Sequence, residues 1–292
     1  MRSLEVLALF FSAVPLGSAF KAGHHGAVSR RSHSLRKAPS SALSATSVAE
    51  RKPATASYED AEKQEVSDYF NTVGFERWNK IYSETDDVNS VQKDIREGHH
   101  QTVDKVLAWM KADDPSSRQP LKGQSFCDAG CGVGSLALPL AAMGAAVDAS
   151  DISQAMTEEA ARRASEVLPR EQRNKMKFVT SDLENLKGSY DNVACIDVMI
   201  HYPSDKMFEM VQGLGKLAKK RLIVSFAPDT WYYAILKKVG ELFPGPSKTT
   251  RAYLHKAEDV EKALKAAGFT VKRREFTGTR FYFSQLFEAV RE

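Results

Sequence analysis

Three alternating glycines preceded by an aspartate form the segment with the clearest chemical meaning in this 292-residue chain. The segment reads Cys127-Asp128-Ala129-Gly130-Cys131-Gly132-Val133-Gly134 and begins inside an apolar run that predicts a β-strand. Glycine has no Cβ, so the backbone can turn tightly there and approach a ligand closely. The dinucleotide-binding spacing G-x-G-x-x-G would need a glycine at position 135, where the chain has Ser135. The acid at position 128 favours a positively charged ligand, because its carboxylate would repel a pyrophosphate.

Two further acids follow predicted strands in step with this loop. Asp151 ends the second strand about 20 residues after the loop, where a carboxylate can accept hydrogen bonds from both ribose hydroxyls of a nucleoside. Asp182 follows the third strand in the same way. Each aspartate alone could equally be a helix cap or a turn residue.

Together these residues resemble the cofactor motif of the class I S-adenosylmethionine-dependent methyltransferases. S-adenosylmethionine carries an ammonium and a sulfonium, which suits the acid before the loop. The resemblance implies that the cofactor is bound by Asp128, Gly130, Gly132, Gly134, Asp151, Ile152, Asp182 and Leu183.

The elements that must position these residues alternate along the chain. Strands are predicted at 124–129, 145–150, 176–180, 190–197, 221–226, 269–276 and 281–290, and helices at 134–143, 153–168 and 204–219. Short apolar strands between helices predict a doubly wound, mostly parallel seven-stranded α/β sheet. The turn Thr277-Gly278 joins the last two strands in a hairpin, so the final strand must run antiparallel. This arrangement is Rossmann-like and typical of class I methyltransferases.

Before the sheet, residues 57–118 are predicted to form a helical arm or cap. Aromatic and aliphatic residues recur at spacings of three and four from Ser57 onwards, and a second helix begins near Val88. The methyltransferase domain is then expected to cover residues 119–292. Within it, residues 228–255 interrupt the strand and helix rhythm and are interpreted as a lid over the substrate.

The N-terminus has the composition of two targeting signals in series. Residues 1–19 combine one early Arg, a short apolar run and small residues before a cut after Ala19, which is typical of a signal peptide. Residues 20–49 begin with Phe20 and are rich in Ser, Ala, Arg and His without an acid, as transit peptides are. This order resembles the bipartite leaders of algae with secondary plastids. The alternative is a disordered N-terminus of a secreted protein.

The charge and the cysteines of the chain exclude other classes of protein. Residues 1–49 carry six Lys and Arg against one acid, whereas the remainder carries 35 basic and 36 acidic residues, so nothing in the body favours nucleic acid. The odd count of three cysteines, Cys127, Cys131 and Cys195, favours reduced buried thiols, with a redox pair between the first two left open. No spacing indicates a metal site, and no stretch after the leader is apolar enough to span a bilayer.

Three blocks outside the generic fold closely resemble the magnesium protoporphyrin IX methyltransferase family, from about Val66 to Arg291. They are the arm segment 68–82, the segment 197–203 after the fourth strand, and the insertion segment 243–255 that follows Ser225-Phe226-Ala227-Pro228. The resemblance implies methylation of one propionate of magnesium protoporphyrin IX. It also implies a partner, the porphyrin-carrying subunit of magnesium chelatase, and leaves peripheral membrane contact open.

The same resemblance implies that Tyr82 and His201 form the catalytic pair. His201 could instead be a structural hydrogen-bonding residue, and Tyr82 an ordinary residue on an apolar helix face. In the insertion, Tyr232 could form a flat wall for the macrocycle, and Lys248 and Arg251 could hold a carboxylate, although all three could also be core or solvated residues. The chain departs from the family at Ser83, where glycine is usual, and at Asp229, where a basic residue is common, so no propionate anchor is expected there.

Three other functions remain open from the residues alone. A nicotinamide oxidoreductase is disfavoured by the glycine spacing and by the antiparallel hairpin. A porphyrin carrier without catalytic activity, or a methyltransferase for another small-molecule acid or phenol, would keep the same cofactor motif.

Overall fold

The computed structural model describes residues 58–83, 85–229 and 253–292. The signal and transit segments predicted at 1–49 lie outside these residues. So does most of the predicted lid, with Tyr232, Lys248 and Arg251.

Eight α-helices, two short 3-10 helices and seven β-strands make up the described part of the chain. The helices are α1 (Tyr58–Asn71), α2 (Val73–Ile81), α3 (Ser90–Asp113), α4 (Ala137–Ala142), α5 (Gln154–Val167), α6 (Arg170–Arg173), α7 (Ser204–Leu217) and α8 (Ala257–Ala266). The strands are β1 (Ser125–Ala129), β2 (Ala146–Asp151), β3 (Met176–Thr180), β4 (Tyr190–Cys195), β5 (Ala218–Phe226), β6 (Phe269–Gly278) and β7 (Phe283–Arg291). The 3-10 helices are Leu183–Asn185 and Met199–His201.

The seven strands form one sheet in the order β3-β2-β1-β4-β5-β7-β6. The first five strands pair in parallel, and β7 pairs antiparallel with both β5 and β6. The predicted sheet and its antiparallel end are therefore confirmed. Because the strand order reverses between β1 and β4, the crevice outside their carboxyl ends is the expected ligand site.

Each face of the sheet is covered by a separate hydrophobic layer. Side chains alternate along a strand, so Phe126 packs into one layer while the adjacent Cys127 packs into the other. The first layer joins α3, α4 and α5 to the sheet, and the second joins α7 and α8. Burial on both faces accounts for the apolar run Leu222-Ile223-Val224 in the central strand β5.

One prediction about the C-terminal part was wrong, and one helix there was missed. Thr277-Gly278 is not the hairpin turn, because both residues pair with β7 and the loop lies at 279–282. Asp94 of α3 holds that loop by accepting hydrogen bonds from Thr279 Oγ1 and the Phe281 amide, both at 2.6 Å. Helix α8 was not among the predicted helices, although Val260, Ala263 and Leu264 are fully buried at helical spacing.

The arm comprises two helices before α3 rather than one. Thr72 separates α1 from α2, and Asn89 begins α3 with a capping box in which its side chain accepts from the Gln92 amide. Helix α3 then packs against β6 and β7, so it joins the arm to the antiparallel end of the sheet.

Candidate active site

The glycine loop after β1 is tied to the neighbouring strand through its backbone. The amides of Gly130 and Cys131 both donate to the Ser150 carbonyl of β2 at 2.8 Å. Gly130 and Gly132 have φ of 84° and 51°, a region that favours glycine. A Cβ on Gly130 would lie 2.2 Å from Val198 Cγ2, whereas a Cβ on Gly132 would have no atom within 4 Å. The loop therefore packs tightly against the end of β4 and faces open space at Gly132, where a ligand can approach.

Asp128 at the end of β1 is a buried carboxyl group with an unsatisfied oxygen. The residue is 2% exposed, and its Oδ2 has no hydrogen-bond partner among the described residues. Burial, followed by the nearby Asp151 carboxylate, raises the pKa of Asp128 to about 7. A cationic ligand would offset both effects, so this site fits the ammonium or sulfonium of S-adenosylmethionine.

The Asp151 side chain at the end of β2 is held by a hydrogen bond from the glycine loop. Its Oδ2 accepts from the Gly132 amide and its Oδ1 from the Ser153 amide, both at 2.9 Å. Burial raises its pKa, against the hydrogen bonds to the backbone of Ser153, Gly132 and Ile152. Each carboxylate oxygen has a second lone pair. The geometry therefore leaves two acceptor positions for a diol, and the ribose assignment stays a prediction.

Asp182 and Leu183 lie beside this carboxylate, after β3. The Ser181 amide donates to the Asp151 carbonyl at 2.8 Å, which joins the ends of the two strands. Asp182 also caps the following 3-10 helix, accepting from the Asn185 amide at 2.9 Å. Leu183 is half-buried against the second hydrophobic layer. Their adenine-binding role stays a prediction, with one oxygen of Asp182 already used as a cap.

His201 lies in a short 3-10 helix that the end of the insertion holds in place. His255 Nε2 is 2.9 Å from the Met199 carbonyl, and the Tyr253 amide donates to the Ile200 carbonyl at 2.8 Å. The His201 ring and that of Phe70 from the arm form an edge-to-face pair with centroids 5.5 Å apart, and His201 Nδ1 is buried with no hydrogen-bond partner within the part of the chain that the structure describes. Burial lowers the pKa of His201 to about 4, although the Asp197 carboxylate acts in the opposite direction. His201 is therefore neutral at pH 7.

Tyr82 follows the last turn of α2 within an aromatic cluster. Its ring stacks on Trp78 at 5.5 Å and lies 4.4 Å from the ring of His99. Burial and the Asp197 carboxylate raise the pKa of Tyr82 well above its ordinary value, so the phenol keeps its proton. The same carboxylate thus acts on both residues of the predicted catalytic pair.

The sequence interpretation missed the group that lies between these elements. Asp197 follows β4 with φ of 60°, a strained conformation for a residue other than glycine. Its carboxylate accepts from His99 of α3, from Tyr282 before β7 and from Ser225 of β5. One signal was present in the sequence, because His99 follows Ile95 by four residues on the apolar face of α3. A histidine in that position is not explained by packing alone.

Other candidate chemistry is limited in the described residues. All three cysteines are free and buried, and burial raises the pKa of each thiol, that of Cys127 to about 12. Thiolates, which redox chemistry requires, are therefore scarce. Within 58–83, 85–229 and 253–292 no group of three or more His, Cys, Asp and Glu side chains could hold a metal ion. A search of the same ranges found no helix long and apolar enough to cross a membrane.

The fold and the loop define a class of protein. A parallel sheet closed by an antiparallel last strand, with a glycine loop after β1 and carboxylates after the first three strands, is a class I S-adenosylmethionine-dependent methyltransferase. Residues 126–221 match the family model of the methyltransferase domain, and residues 195–291 match that of the magnesium-protoporphyrin IX methyltransferase C-terminus. The chain belongs to the magnesium protoporphyrin IX methyltransferase family.

Individual relatives cover more than three quarters of the chain. The chloroplastic magnesium protoporphyrin IX methyltransferase of Arabidopsis thaliana is 55% identical over 229 residues, which are 78% of this chain and 71% of the relative. The magnesium-protoporphyrin O-methyltransferase of Synechocystis is 54% identical over 79% of this chain and 96% of its own length. A crystal structure of the Synechocystis PCC 6803 enzyme with bound SAH has a TM-score of 0.71 at 52% identity, covering 79% of this chain and all of that one.

Proposed function

We propose that the chain transfers the methyl group of S-adenosyl-L-methionine to a propionate carboxylate of magnesium protoporphyrin IX, giving the monomethyl ester. The observation that carries this proposal is the 54% identity to the Synechocystis O-methyltransferase over 96% of that protein. A crystal structure of the Synechocystis enzyme contains bound SAM, at a TM-score of 0.68 and 47% identity to this chain. The carboxylate-rich end of the sheet described above is consistent with the same cofactor here.

The cofactor assignments follow from charge and hydrogen-bonding capacity. Asp128 would face the ammonium and sulfonium, and Gly130, Gly132 and Gly134 would let the loop backbone approach the ligand. Asp151 would accept the ribose hydroxyls beside Ile152. Asp182 and Leu183 would contact the adenine.

The reaction neutralises a carboxylate and a sulfonium, and this loss of charge determines how the protein can accelerate it. S-adenosylmethionine supplies an electrophilic methyl group on a sulfonium. A propionate has a pKa of roughly 4.3, so only about 0.2% of it is protonated at pH 7 and no base is needed to make it a nucleophile. The attacking oxygen forms a bond to the methyl carbon as the carbon–sulfur bond breaks, and one negative and one positive charge are lost. Water stabilises the charged reactants, so excluding it and aligning the carboxylate are the main tasks of the site.

Tyr82 and His201 are suited to alignment rather than to proton removal. Tyr82 keeps its proton and can donate a hydrogen bond. His201, with a pKa of about 4, is neutral and can donate from one ring nitrogen. We assign both to orienting the propionate. Tyr232, Lys248 and Arg251 are proposed to contact the macrocycle or its second propionate from the insertion.

Mass spectrometry tests this function directly. Residues 50–292 are incubated with magnesium protoporphyrin IX and S-adenosylmethionine, with protoporphyrin dimethyl ester as an acceptor that has no free propionate. We expect one added methyl group on magnesium protoporphyrin IX and none on the diester. Tight porphyrin binding without turnover would instead support the carrier function, and methylation of other small acids but not of the porphyrin would support a different acceptor.

We also propose that the protein acts in a plastid reached through a bipartite leader. The plastid location is supported by the chloroplastic Arabidopsis relative. The secondary plastid is a finer proposal, which rests on the signal composition of 1–19 and the transit composition of 20–49. A fluorescent protein fused to residues 1–49 should enter the secretory pathway and then the plastid, and Phe20→Ala should stop it outside the innermost compartment. Full import of the variant would contradict the two-signal interpretation.

The porphyrin-carrying subunit of magnesium chelatase is the partner we propose for substrate delivery. Direct transfer would keep a poorly soluble macrocycle out of water. Adding that subunit, loaded with magnesium protoporphyrin IX, should raise the rate of methyl transfer above that with the same concentration of free porphyrin. Equal rates would contradict direct transfer.

A further inference from the structure

His99 is a buried histidine in which one ring nitrogen is hydrogen-bonded and the other has no hydrogen-bond partner among the described residues. The side chain lies on α3 and is 7% exposed. Its Nδ1 is 2.7 Å from Asp197 Oδ2, whereas its Nε2 is buried and has no hydrogen-bond partner among the described residues. A buried polar nitrogen in this state is destabilising unless a ligand satisfies it.

Asp197 fixes which nitrogen of His99 is available. Burial raises the pKa of Asp197, but the hydrogen bond and charge of His99 and the bonds from Tyr282 and Ser225 together hold it below its ordinary value. Tyr282 Oη lies 2.9 Å from both carboxylate oxygens, and Ser225 Oγ donates to Oδ1 at 3.0 Å. An ionised carboxylate accepts from Nδ1–H, which orients the ring and leaves Nε2 for another group.

This pair lies beside the proposed reaction centre. The ring of Tyr82 is 4.4 Å from that of His99. Asp197 is followed by Val198, whose side chain packs directly against Gly130 of the cofactor loop, and His201 comes three residues later. The titratable groups that face His99 are Asp197, Tyr82 and, on its own helix, His100.

We propose that His99 is a substrate-binding residue whose Nε2–H donates to one oxygen of the reacting propionate, with Asp197 as its positioning residue. The proposal rests on the function proposed above. When both ring nitrogens carry hydrogen, Nδ1–H binds Asp197 and Nε2–H is left to donate to an anion. With one carboxylate oxygen held, the other is free to attack the methyl group. The esterified propionate carries no negative charge, so its bond to His99 weakens after transfer and favours product release.

A binding experiment without S-adenosylmethionine tests this assignment independently of turnover. The affinities of magnesium protoporphyrin IX and of its dimethyl ester are measured by tryptophan fluorescence quenching for the unaltered protein, His99→Phe and His100→Phe. We expect the unaltered protein and His100→Phe to prefer the diacid by roughly tenfold or more, as for a hydrogen bond to a charged group. His99→Phe should bind the ester unchanged and reduce this preference by roughly tenfold. His100 is a matched control because it is the adjacent residue on α3 and is exposed.

Several outcomes would overturn the proposal. If His99→Phe keeps the preference for the diacid, or if the unaltered protein has none, His99 and Asp197 only tie α3 to the sheet. If His99→Phe loses affinity equally for the diacid and the diester, His99 likewise has only a structural role. His99→Gln, which retains an N–H donor, should keep part of the preference and serves as the test if His99→Phe does not fold. Methyl transfer by the unaltered protein with an unchanged preference in His99→Phe would contradict this inference alone, whereas no methyl transfer to the porphyrin at all would contradict the proposed function.

Discussion

At the scale of single residues, several buried polar atoms near the carboxyl end of the sheet have no hydrogen-bond partner among the described residues. Three of them are Asp128 Oδ2, His99 Nε2 and His201 Nδ1. Asp128 belongs to the cofactor loop, and the two histidines flank Asp197. An unsatisfied polar atom inside a protein is destabilising, and each of these three would gain a partner from a bound ligand of the appropriate charge. These atoms make the free protein less stable, and a bound ligand that satisfies them would remove that destabilisation.

The first prediction concerns the protonation of Asp128. Its pKa of about 7 in the free protein means that the carboxyl is about half protonated at pH 7. A cation bound beside it favours the ionised form and lowers that pKa. Binding of S-adenosylmethionine should therefore release about half a proton at pH 7 and almost none at pH 9. Calorimetry in buffers with different heats of ionisation measures this number.

Asp128→Asn is the control for this prediction. The variant keeps the shape of the side chain but cannot ionise, so the proton release at pH 7 should disappear while the protein still folds. Proton uptake by the unaltered protein, or equal release by the variant, would show that Asp128 does not face the positive charge of the cofactor.

The second prediction concerns Asp151. Asp151→Ala removes the proposed acceptor for the ribose hydroxyls and should weaken S-adenosylmethionine binding by roughly 1.5–3 kcal/mol, the range for hydrogen bonds to a charged group. Asp148→Ala is a matched control on the same strand, because Asp148 bonds Tyr190 Oη at 2.9 Å away from the loop. Calorimetry should find its affinity unchanged within about twofold. Equal affinities for the two variants would remove the ribose assignment.

At the scale of elements, helix α3 positions the hairpin loop against the end of β4. Asp94 accepts hydrogen bonds from the loop, and Thr102 Oγ1 donates to Thr277 Oγ1 at 2.9 Å. Between them, Gly98 lies directly under the ring of Tyr282. Tyr282 can contact Asp197 only because the helix has no side chain at that position.

The third prediction follows from that close approach. A Cβ at position 98 would lie 2.3 Å from Tyr282 Cδ1, so Gly98→Ala should displace the ring, destabilise the protein by about 1–3 kcal/mol and lower turnover. Gly213→Ala in α7 is the matched control, since a Cβ there has no atom within 4 Å. Because alanine has a higher helix propensity than glycine, Gly213→Ala should raise the free energy of unfolding by up to about 1 kcal/mol. Urea unfolding measures the stability of the two variants, and a methyl-transfer assay measures their turnover. A stable and active Gly98→Ala variant would show that Tyr282 has no positioning role.

At the scale of the whole molecule, the arm docks onto α5, the helix that follows β2. Arg163 of α5 donates to the Tyr82 carbonyl at 2.9 Å and to Asn79 Oδ1 at 2.6 Å. At the other end of the arm, the Ala155 amide donates to Asn71 Oδ1 at 3.2 Å. The position of Tyr82 is therefore coupled to the cofactor side of the sheet through α5.

The fourth prediction separates this coupling from cofactor binding. Arg163→Gln should loosen the arm, lowering turnover roughly tenfold while the affinity for S-adenosylhomocysteine stays within about threefold. Arg162→Gln is the matched control, because Arg162 is exposed and its ion pairs with described residues are to Glu159 and Glu166 of its own helix. Single-turnover and binding measurements decide the matter. Normal turnover in Arg163→Gln would mean that the arm is a packing element and that Tyr82 has no role in orienting substrate.

Much of the fold followed from periodicity. Buried parallel strands and amphipathic helices leave strong local patterns, and β3 was predicted with the bounds that the structure has. The hairpin turn was placed two residues too early, because Gly278 was taken as a turn residue. The true loop is determined by Asp94, 185 residues away in the chain, which local turn preferences cannot reveal.

The cofactor half of the candidate site could be predicted from the sequence alone. The glycine loop is contiguous, and Asp128 and Asp151 end strands that the pattern identifies, so parallel topology places them at one edge. Only the tertiary structure brought His99, Asp197 and Tyr282 together, since the first two are 98 residues apart and the last two 85. Their meeting depends on how α3 and the hairpin pack against the end of β4. Such packing depends on many long-range contacts at once, so it produces no regular residue spacing from which it could be predicted.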